Sequence, residues 1–389
     1  MKLILLGITR LLTNLSTGRR PTGIDRVIIA YLQHYKNNTR GVVQFKLGCW
    51  HYDLVLSPQA TLNILNYIDL RPNYMRIKIL FLLLKQGFLP TYKTLPDSFL
   101  INIEPARFDG HTLLKKHPGI ICLFMIHDLI PLSFPEYSPP IRPKEYRSMV
   151  AKIAENAQGI LTNSVATLEE LRAFTLAENQ KLPPSLPVLL GSHLCFQSST
   201  ALAPSPIPLP YFVVIGTIEP RKNHLMLLQI WRHLANHLKE RTPRLVIIGQ
   251  RGWELENIVD FLERCDVLKD VVIECTVNDN QLVHYLGHAQ ALLFPSFAEG
   301  YGIPLIEALA LKVPVIASAL PVFKEIAGII PEYIDPLDSI TWLNTIIAYT
   351  DNENEQRVAQ LKRLANYNPP TWQEHFEKVA VFLEFLLLI

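Results

Sequence analysis

Between Tyr211 and Gly328 the chain alternates short apolar runs with longer runs of helical period. "YFVVIG", "RLVIIG", "VVIEC", "ALLFPS" and "VPVIAS" predict strands. "NHLMLLQIWRHLANHL", "GWELENIVDFLERC", "DNQLVHYLGHA" and "IPLIEALAL" predict the helices between them, and "LPVFKEIAG" opens another. In the first helix Leu225, Leu228, Trp231, Leu234 and Leu238 recur at spacings of three and four, the helical period. Strands apolar on every side leave no face for water. They belong in a parallel sheet covered on both faces, with right-handed crossovers. That restricts this half of the chain to an α/β fold.

The first half reads less regularly. It predicts strands near 2–7, 42–47, 100–103, 121–126 and 159–162, with helices over 24–35, 143–157 and 165–173. "QSSTALAPSPIPLP", residues 197–210, is rich in Ser, Ala and Pro and reads as a linker. The last segment, "PPTWQEHFEKVAVFLEFLLLI", predicts a helix too apolar to be a solvated tail, so it should pack back on the first domain. The expected organisation is a first domain over 1–196 completed by the helix at 371–389, and a second domain over 211–370. Two α/β domains would place a cleft along the carboxyl ends of both sheets, where such sheets bind ligands.

Composition narrows the function classes. The chain has 389 residues, 49% of them hydrophobic, and a formal net charge of +2. That supports large cores and gives no global case for nucleic acid. Cys49, Cys122, Cys195, Cys265 and Cys275 show no CxxC spacing, which argues for reduced structural cysteines rather than a zinc or redox site. "MKLILLGITRLL" reads as a first strand, not a signal peptide, because the polar "TNLSTGRR" follows without a small-residue cleavage site. "IKILFLLL", Ile77–Leu84, is far short of the roughly 20 residues that span a bilayer. With Arg76, Lys78 and Lys85 around it, it reads as a core helix or as a basic, apolar face lying on a membrane.

Four stretches carry candidate chemistry. In "STGRRPTGIDRVIIAYL" a loop after the first strand leads to a helix near Ile24, and Gly23 lets a ligand approach the free amides of the helix start. An ordinary turn is the alternative. In "IGTIEPRKNHLMLL", Arg221 and Lys222 precede a helix, a poor place for cations unless an anion such as a diphosphate is present. Solvated surface cations are the alternative, and Asn223 is placed to cap the helix. In "FPSFAEGYGIPLIEALAL", Pro304 fits the first turn of a helix that carries Glu307, while Glu299 lies in the loop before it. The two acids could hydrogen-bond sugar hydroxyls or form an acid–base pair. The nearby cations favour hydroxyl recognition. In "ICLFMIHDLIPLSFPEY", His127 and Asp128 end an apolar strand, at the expected cleft, as site residues or as structural ones. No HExxH, GxxxxGK[ST] or GxSxG is present, so metal ligation, nucleotide hydrolysis by a P-loop and serine hydrolysis lack support.

Together these stretches resemble glycosyltransferase family 4, retaining enzymes of GT-B fold. The likeness covers nearly the whole chain and is strongest over 212–328. It rests on "EGYGIPLIE", "GTIEPRKN", "GQRGW", "HDLIPLSFPE" and "TGIDRV", which look like those of bacterial polysaccharide and O-antigen mannosyltransferases. The resemblance implies two Rossmann-like domains facing a central cleft and a C-terminal helix crossing back to the first. It implies a nucleotide-sugar donor, with GDP-mannose favoured, and a glycan or polyprenyl-linked glycan acceptor, with no cofactor and no metal. Lys222 should then bind the donor phosphates, Glu307 the ribose hydroxyls and Glu299 the transferred sugar. The amides of Gly300, Tyr301, Gly302 and Ile303 should lie near sugar and phosphate. His127 should contact a sugar hydroxyl, and Gly23 should approach the diphosphate. Many members carry an arginine where this chain has Thr217, and Arg221 and Arg251 are the candidates to replace it. The usual Asn-Gly-Val-Asp step near the domain junction is altered to "GSHLCF". The implied location is the cytoplasm or the inner face of the cell membrane. The competing readings are a UDP-sugar epimerase of the same architecture and a non-catalytic carbohydrate-binding protein.

Overall fold

The structure is a computed structural model. It describes residues 2–17, 21, 23–47, 50–68, 72–87, 97–104, 113–114, 117–192, 204–208 and 210–389. Cys49, Cys195 and most of the expected linker lie outside these residues. The chain forms two compact units, Met1–Leu190 with Trp372–Ile389, and Gly191–Thr371.

The first unit holds a seven-stranded sheet. Its strands are β1 (Leu3–Gly7), β2 (Thr39–Leu47), β3 (Trp50–Val55), β4 (Ser98–Asn102), β5 (Ile121–Ile126), β6 (Gly159–Thr162) and β7 (Ser185–Pro187), in the order β3-β2-β1-β4-β5-β6-β7. All pairs are parallel except β2 with β3, which pair antiparallel. Leu5, Leu100, Phe124 and Ile160 supply the strand side of the core, and Met149, Val150, Ile153 and Leu171 the helix side.

One local expectation fails here. The polar "TNLS" after β1 is not loop but part of a helix, Thr9–Ser16. Leu11, Leu12 and Leu15 are buried on one side of it, so three leucines at helical spacing outweigh the polar residues between them. The next helix, Gly23–His34, starts one residue before the expected 24. The C-terminal helix Trp372–Phe385 belongs to this unit. His375 anchors it. Its Nδ1–H donates to the Leu189 carbonyl at 2.9 Å, and its Nε2 accepts from the Tyr31 hydroxyl at 2.8 Å. Phe376 stacks on His34 beside it.

The second unit holds a six-stranded, all-parallel sheet. Its strands are β8 (Tyr211–Ile215), β9 (Arg244–Ile248), β10 (Val272–Cys275), β11 (Leu292–Phe294), β12 (Val315–Ser318) and β13 (Glu332–Ile334), in the order β10-β9-β8-β11-β12-β13. Trp231 and Trp342 are fully buried in its core. The helix His224–Leu238 turns Leu227, Leu228, Ile230, Trp231 and Leu234 inward. Leu225, expected on that face, is 36% exposed, and the buried stripe starts at His224 instead.

Candidate active site

Both sheets change direction at their centres. In the second unit the chain runs outward from β8 through β9 to β10, then returns to β11 on the other side of β8. Loops beyond the carboxyl ends of two such strands diverge and leave a crevice, the usual ligand position in open α/β sheets. The segments that follow β8 and β11 are the two that the sequence singles out.

The loop after β8 is fixed by the loop after β9. Gly216 N–H donates to the Ile248 carbonyl at 3.0 Å, Ile218 N–H to Gln250 at 2.9 Å, and Gly252 N–H to Ile218 at 2.9 Å. A Cβ on Gly249 would lie 1.9 Å from the Gly216 carbonyl oxygen, and one on Gly252 would lie 2.7 Å from that of Ile218. Only glycine permits this approach, so "GTIEPRKN" and "GQRGW" act as one interlocked pair. Gly216 itself has φ of +137°, which disfavours any side chain. The loop ends in a single 3₁₀ turn, Pro220–Lys222, that presents Arg221 and Lys222.

The partner of these cations is Glu299, from the loop after β11. Lys222 Nζ lies 2.5 Å from Glu299 Oε1, and Arg221 Nη1 lies 2.8 Å from Oε2. Ser296 Oγ donates to Oε1 at 2.7 Å. Arg221 also pairs with Glu219 at 2.7 Å and donates to the Ala298 carbonyl at 2.8 Å. Phe294 lies under the Lys222 ammonium, 4.9 Å from Nζ to the ring centre. Lys222 is 7% exposed. Burial pushes the Glu299 carboxyl up, but Arg221 and Lys222 more than offset this and hold its pKa at about 2. Burial likewise lowers the Lys222 pKa, with Glu299 opposing the shift. The cations before the helix therefore already have an anion. It is supplied by the chain itself, a possibility that the sequence reading left out.

Two other expected contributors stand apart from the cluster. Arg251 bonds Glu274 through Nε and Nη2 at 2.9 and 2.8 Å, and Glu263 through Nη1 at 2.7 Å. Thr217 is exposed, with its methyl against Gly252. Asn223 occupies the cap position but does not cap. Its backbone is left-handed (φ 57°), and its side chain donates to the Pro336 carbonyl at 2.9 Å instead. Gly302, with φ of +115°, opens the helix Ile303–Ala310, and a Cβ there would meet the Phe323 ring at 2.8 Å. Pro304 lies in the first turn of that helix. Tyr301 is 5% and Glu307 2% exposed, and Gly300 and Ile303 are partly buried.

In the first unit His127 follows β5 and is partly buried. Its Nε2 lies 2.9 Å from the Ile103 carbonyl. A carbonyl only accepts, so Nε2 carries the proton and Nδ1 is left as an acceptor. Burial lowers the imidazole pKa to about 4, with the bond to Ile103 opposing and Arg10 assisting. The ring is neutral at pH 7. Asp128 is a local turn residue whose Oδ1 accepts from Ile130 N–H at 3.1 Å. Gly23 is exposed at its helix start. Asp25, in the first turn, is fully buried, accepting from Asn14 Nδ2 at 2.9 Å and lying 3.5 Å from Arg10 Nε. Among the described residues no group of three or more His, Cys, Asp or Glu is placed to hold a metal ion.

The sequence reading passes over Glu219, Ser296 and Arg10. A signal existed for Ser296, which stands three residues before an acid in a loop, the reach of a side-chain turn contact. Nothing local pointed to Arg10, whose partners lie up to 94 positions away.

Residues 204–329 match the family model described as Glycosyl transferases group 1. The serotype-specific mannosyltransferase WbdA of Escherichia coli is 32% identical over 224 residues, covering 54% of this chain and 27% of WbdA. The chain thus spans about a quarter of the length of that relative. O-antigen chain mannosyltransferase B of E. coli is 28% identical over 263 residues, 64% of this chain and 66% of its own. Among solved structures, Anabaena Alr3699/HepE in complex with UDP and glucose gives a TM-score of 0.64 at 14% identity, over 99% of this chain and 100% of its own. A trehalose-6-phosphate synthase gives 0.60 at 11% identity, over 100% and 99%. At such identities these two likenesses speak for the fold alone, two Rossmann-like units in the GT-B pattern.

Proposed function

We propose that this chain, which carries a glycosyl transferases group 1 domain over residues 204–329 and has the GT-B fold, is a retaining hexosyltransferase of surface polysaccharide synthesis. Its donor is a nucleotide sugar, with GDP-mannose favoured by the mannosyltransferase relatives. Its acceptor is a glycan or a polyprenyl-linked glycan. The observation that carries this reading is the cluster of Arg221, Lys222 and Glu299 at the switch point of the second sheet.

In this reading Lys222 and Arg221 bind the donor diphosphate. Arg221 rather than Arg251 stands in for the arginine absent at Thr217, because Arg221 shares the Glu299 carboxylate with Lys222, whereas Arg251 pairs with Glu263 and Glu274 instead. Glu299 contacts the transferred sugar and Glu307 the ribose. The amides from Gly300 to Ile303 lie near sugar and phosphate, and Gly23 approaches the diphosphate. His127, neutral and with Nδ1 as its remaining acceptor, takes a hydrogen bond from a sugar hydroxyl. It does not act as an acid.

The chemistry follows from charge. The anomeric C–O bond breaks, and its electron pair goes to the diphosphate, where Lys222 and Arg221 stabilise the growing charge. The acceptor hydroxyl oxygen bonds to the anomeric carbon from the same face, and its proton passes to the departing phosphate oxygen. Configuration is retained without a protein base. A screen of GDP-, UDP- and ADP-sugars with product analysis by NMR tests this. Transfer with an α-anomeric product from an α-linked donor is expected. Inversion would overturn the mechanism. Epimerised nucleotide sugar would favour the epimerase reading, and binding without turnover the carbohydrate-binding one.

A peripheral location at the membrane is supported by the helix Pro72–Gly87. No described helix is long and apolar enough to cross a membrane. On this one Tyr74, Ile77 and Phe81 are 67%, 54% and 68% exposed among the exposed Arg76, Lys78 and Lys85. Apolar anchors among cations, with no acid on the helix, suit peripheral contact with the anionic inner face of a cell membrane. Replacing the three cations by glutamine should reduce sedimentation with anionic vesicles. Unchanged sedimentation would remove this part of the account.

A further inference from the structure

The 3₁₀ turn Pro220–Lys222, which carries the two cations, is braced by three loops. The loop after β9 holds the segment before it, through Gly216, Ile218 and Gly252. The loop after β11 holds the turn itself. Phe297 N–H donates to the Arg221 carbonyl at 2.8 Å, and Glu299 pairs with both cationic side chains. The third brace comes from further away. Asn223 Nδ2 donates to the Pro336 carbonyl at 2.9 Å, in the loop after β13, although β11 and β12 stand between β8 and β13 in the sheet.

We infer that Asn223 is a positioning residue for the donor cations, which sets where Arg221 and Lys222 stand by tethering their turn to the loop after β13. This role rests on the diphosphate reading of Arg221 and Lys222 above and adds the residue that places them. Asn223 follows Lys222 directly and is buried. Its left-handed backbone (φ 57°) joins the turn to the helix His224–Leu238. Glycine, asparagine and aspartate reach this conformation at low cost, and of the three asparagine alone carries a side-chain donor. Residue type and conformation thus both fit a tether, where a glycine would serve the backbone alone.

The far end of the tether is stiff. The fully buried Trp342 donates from its indole N–H to the Asp335 carbonyl at 3.0 Å, and Asp338 N–H donates to the same carbonyl at 3.0 Å. Leu337 N–H donates to Asp335 Oδ1 at 2.8 Å. Asp338 Oδ1 accepts from Thr341 N–H at 3.0 Å and so caps the helix Ser339–Tyr349. Pro336, between these anchors, has its φ fixed by its ring. A carbonyl held this way gives the turn a fixed point. The tether is also neutral. A diphosphate that draws Arg221 and Lys222 away from Glu299 weakens the charged brace and leaves the bond to Pro336 in place.

The test compares wild type with two variants of the full chain. Asn223→Gly keeps the backbone conformation and removes the tether. Asn223→Asp keeps the size and puts an acceptor against the Pro336 carbonyl. Hydrogen exchange reads the turn without ligand. In each folded variant the amides of Lys222 and Phe297, which donate to the Glu219 and Arg221 carbonyls, should exchange at least about tenfold faster, with the β8 amides unchanged. Calorimetry with GDP, UDP and ADP reads the consequence. A nucleotide that binds wild type should bind each folded variant at least about tenfold more weakly, and the loss caused by Asn223→Gly should shrink in a Lys222→Met background. That shrinkage separates positioning through Lys222 from a general loss of stability, which would leave the two losses additive. Unchanged exchange, unchanged affinity or additive losses in the folded variants would overturn the role. If none of the three nucleotides binds wild type, the diphosphate reading fails by itself, while the exchange rates still decide whether Asn223 sets the turn.

Discussion

Lys222 and Glu299 lie 77 positions apart in the chain and meet at 2.5 Å. The contact ties the loop after β8 to the loop after β11 across the centre of the second sheet. It gives two neighbouring cations an internal anion where the account expects a diphosphate. Removing one partner of a buried pair is costly because the other is left uncompensated. Glu299→Ala should therefore destabilise the protein by about 3 kcal/mol. Adding the nucleoside diphosphate should recover part of that loss, since the ligand replaces the missing charge. Thermal unfolding with and without GDP or UDP measures both effects. A variant as stable as wild type would show that the pair is not compensating.

Arg221 and Arg251 should separate cleanly. Arg221→Ala should lower kcat/KM by about 10- to 100-fold, as expected for loss of a charge-assisted contact of about 1.5–3 kcal/mol. Arg251→Ala loses only contacts to the exposed Glu263 and partly exposed Glu274 and should stay within about threefold. Steady-state kinetics on the two variants decides between them, and the reverse ranking would move the phosphate role to Arg251.

Gly249→Ala should be severe for its size. The added carbon would fall 1.9 Å from a backbone oxygen, so the loops must separate at a cost of about 1–3 kcal/mol. Because the displaced loop presents Lys222, donor affinity should fall together with Tm. A drop in Tm at unchanged donor affinity would show that the loop contact is structural only.

Acid should loosen the C-terminal helix. His375 is 1% exposed, and burial is the main reason that its pKa falls from 6.5 to about 4, with the Leu189 bond opposing. The unfolded chain thus binds the proton first. Its contribution is intact above about pH 6.5 and is lost progressively down to about pH 4, reaching about 3 kcal/mol. His375→Gln should start less stable and show a flatter decline over that window. Equal slopes for wild type and variant would contradict the assignment.

How far the sequence reaches depends on the range of the contacts. The βα alternation of the second unit is legible because each strand and helix advertises its own period. The C-terminal helix is legible because residues such as Phe376, Val379 and Phe382 need cover. The helix Thr9–Ser16 is missed because polar residues mask three leucines. The site residues Arg221, Lys222, Glu299 and Glu307 stand out by residue type and position. Their mutual pairing does not, since Glu299 meets Lys222 only through the adjacency of β8 and β11. Asn223 shows the same limit locally. Its residue type fits a cap, but a carbonyl 113 positions away takes its side chain.

The central claim is that the second unit's cation cluster holds the donor diphosphate. Calorimetric titration of nucleotide sugars into wild type and Lys222→Met tests it most directly. The account predicts that at least one of the GDP-, UDP- and ADP-sugars binds wild type, and that Lys222→Met weakens it by at least about tenfold, or 1.4 kcal/mol, while remaining folded. Equal affinity of the folded variant and wild type would contradict it.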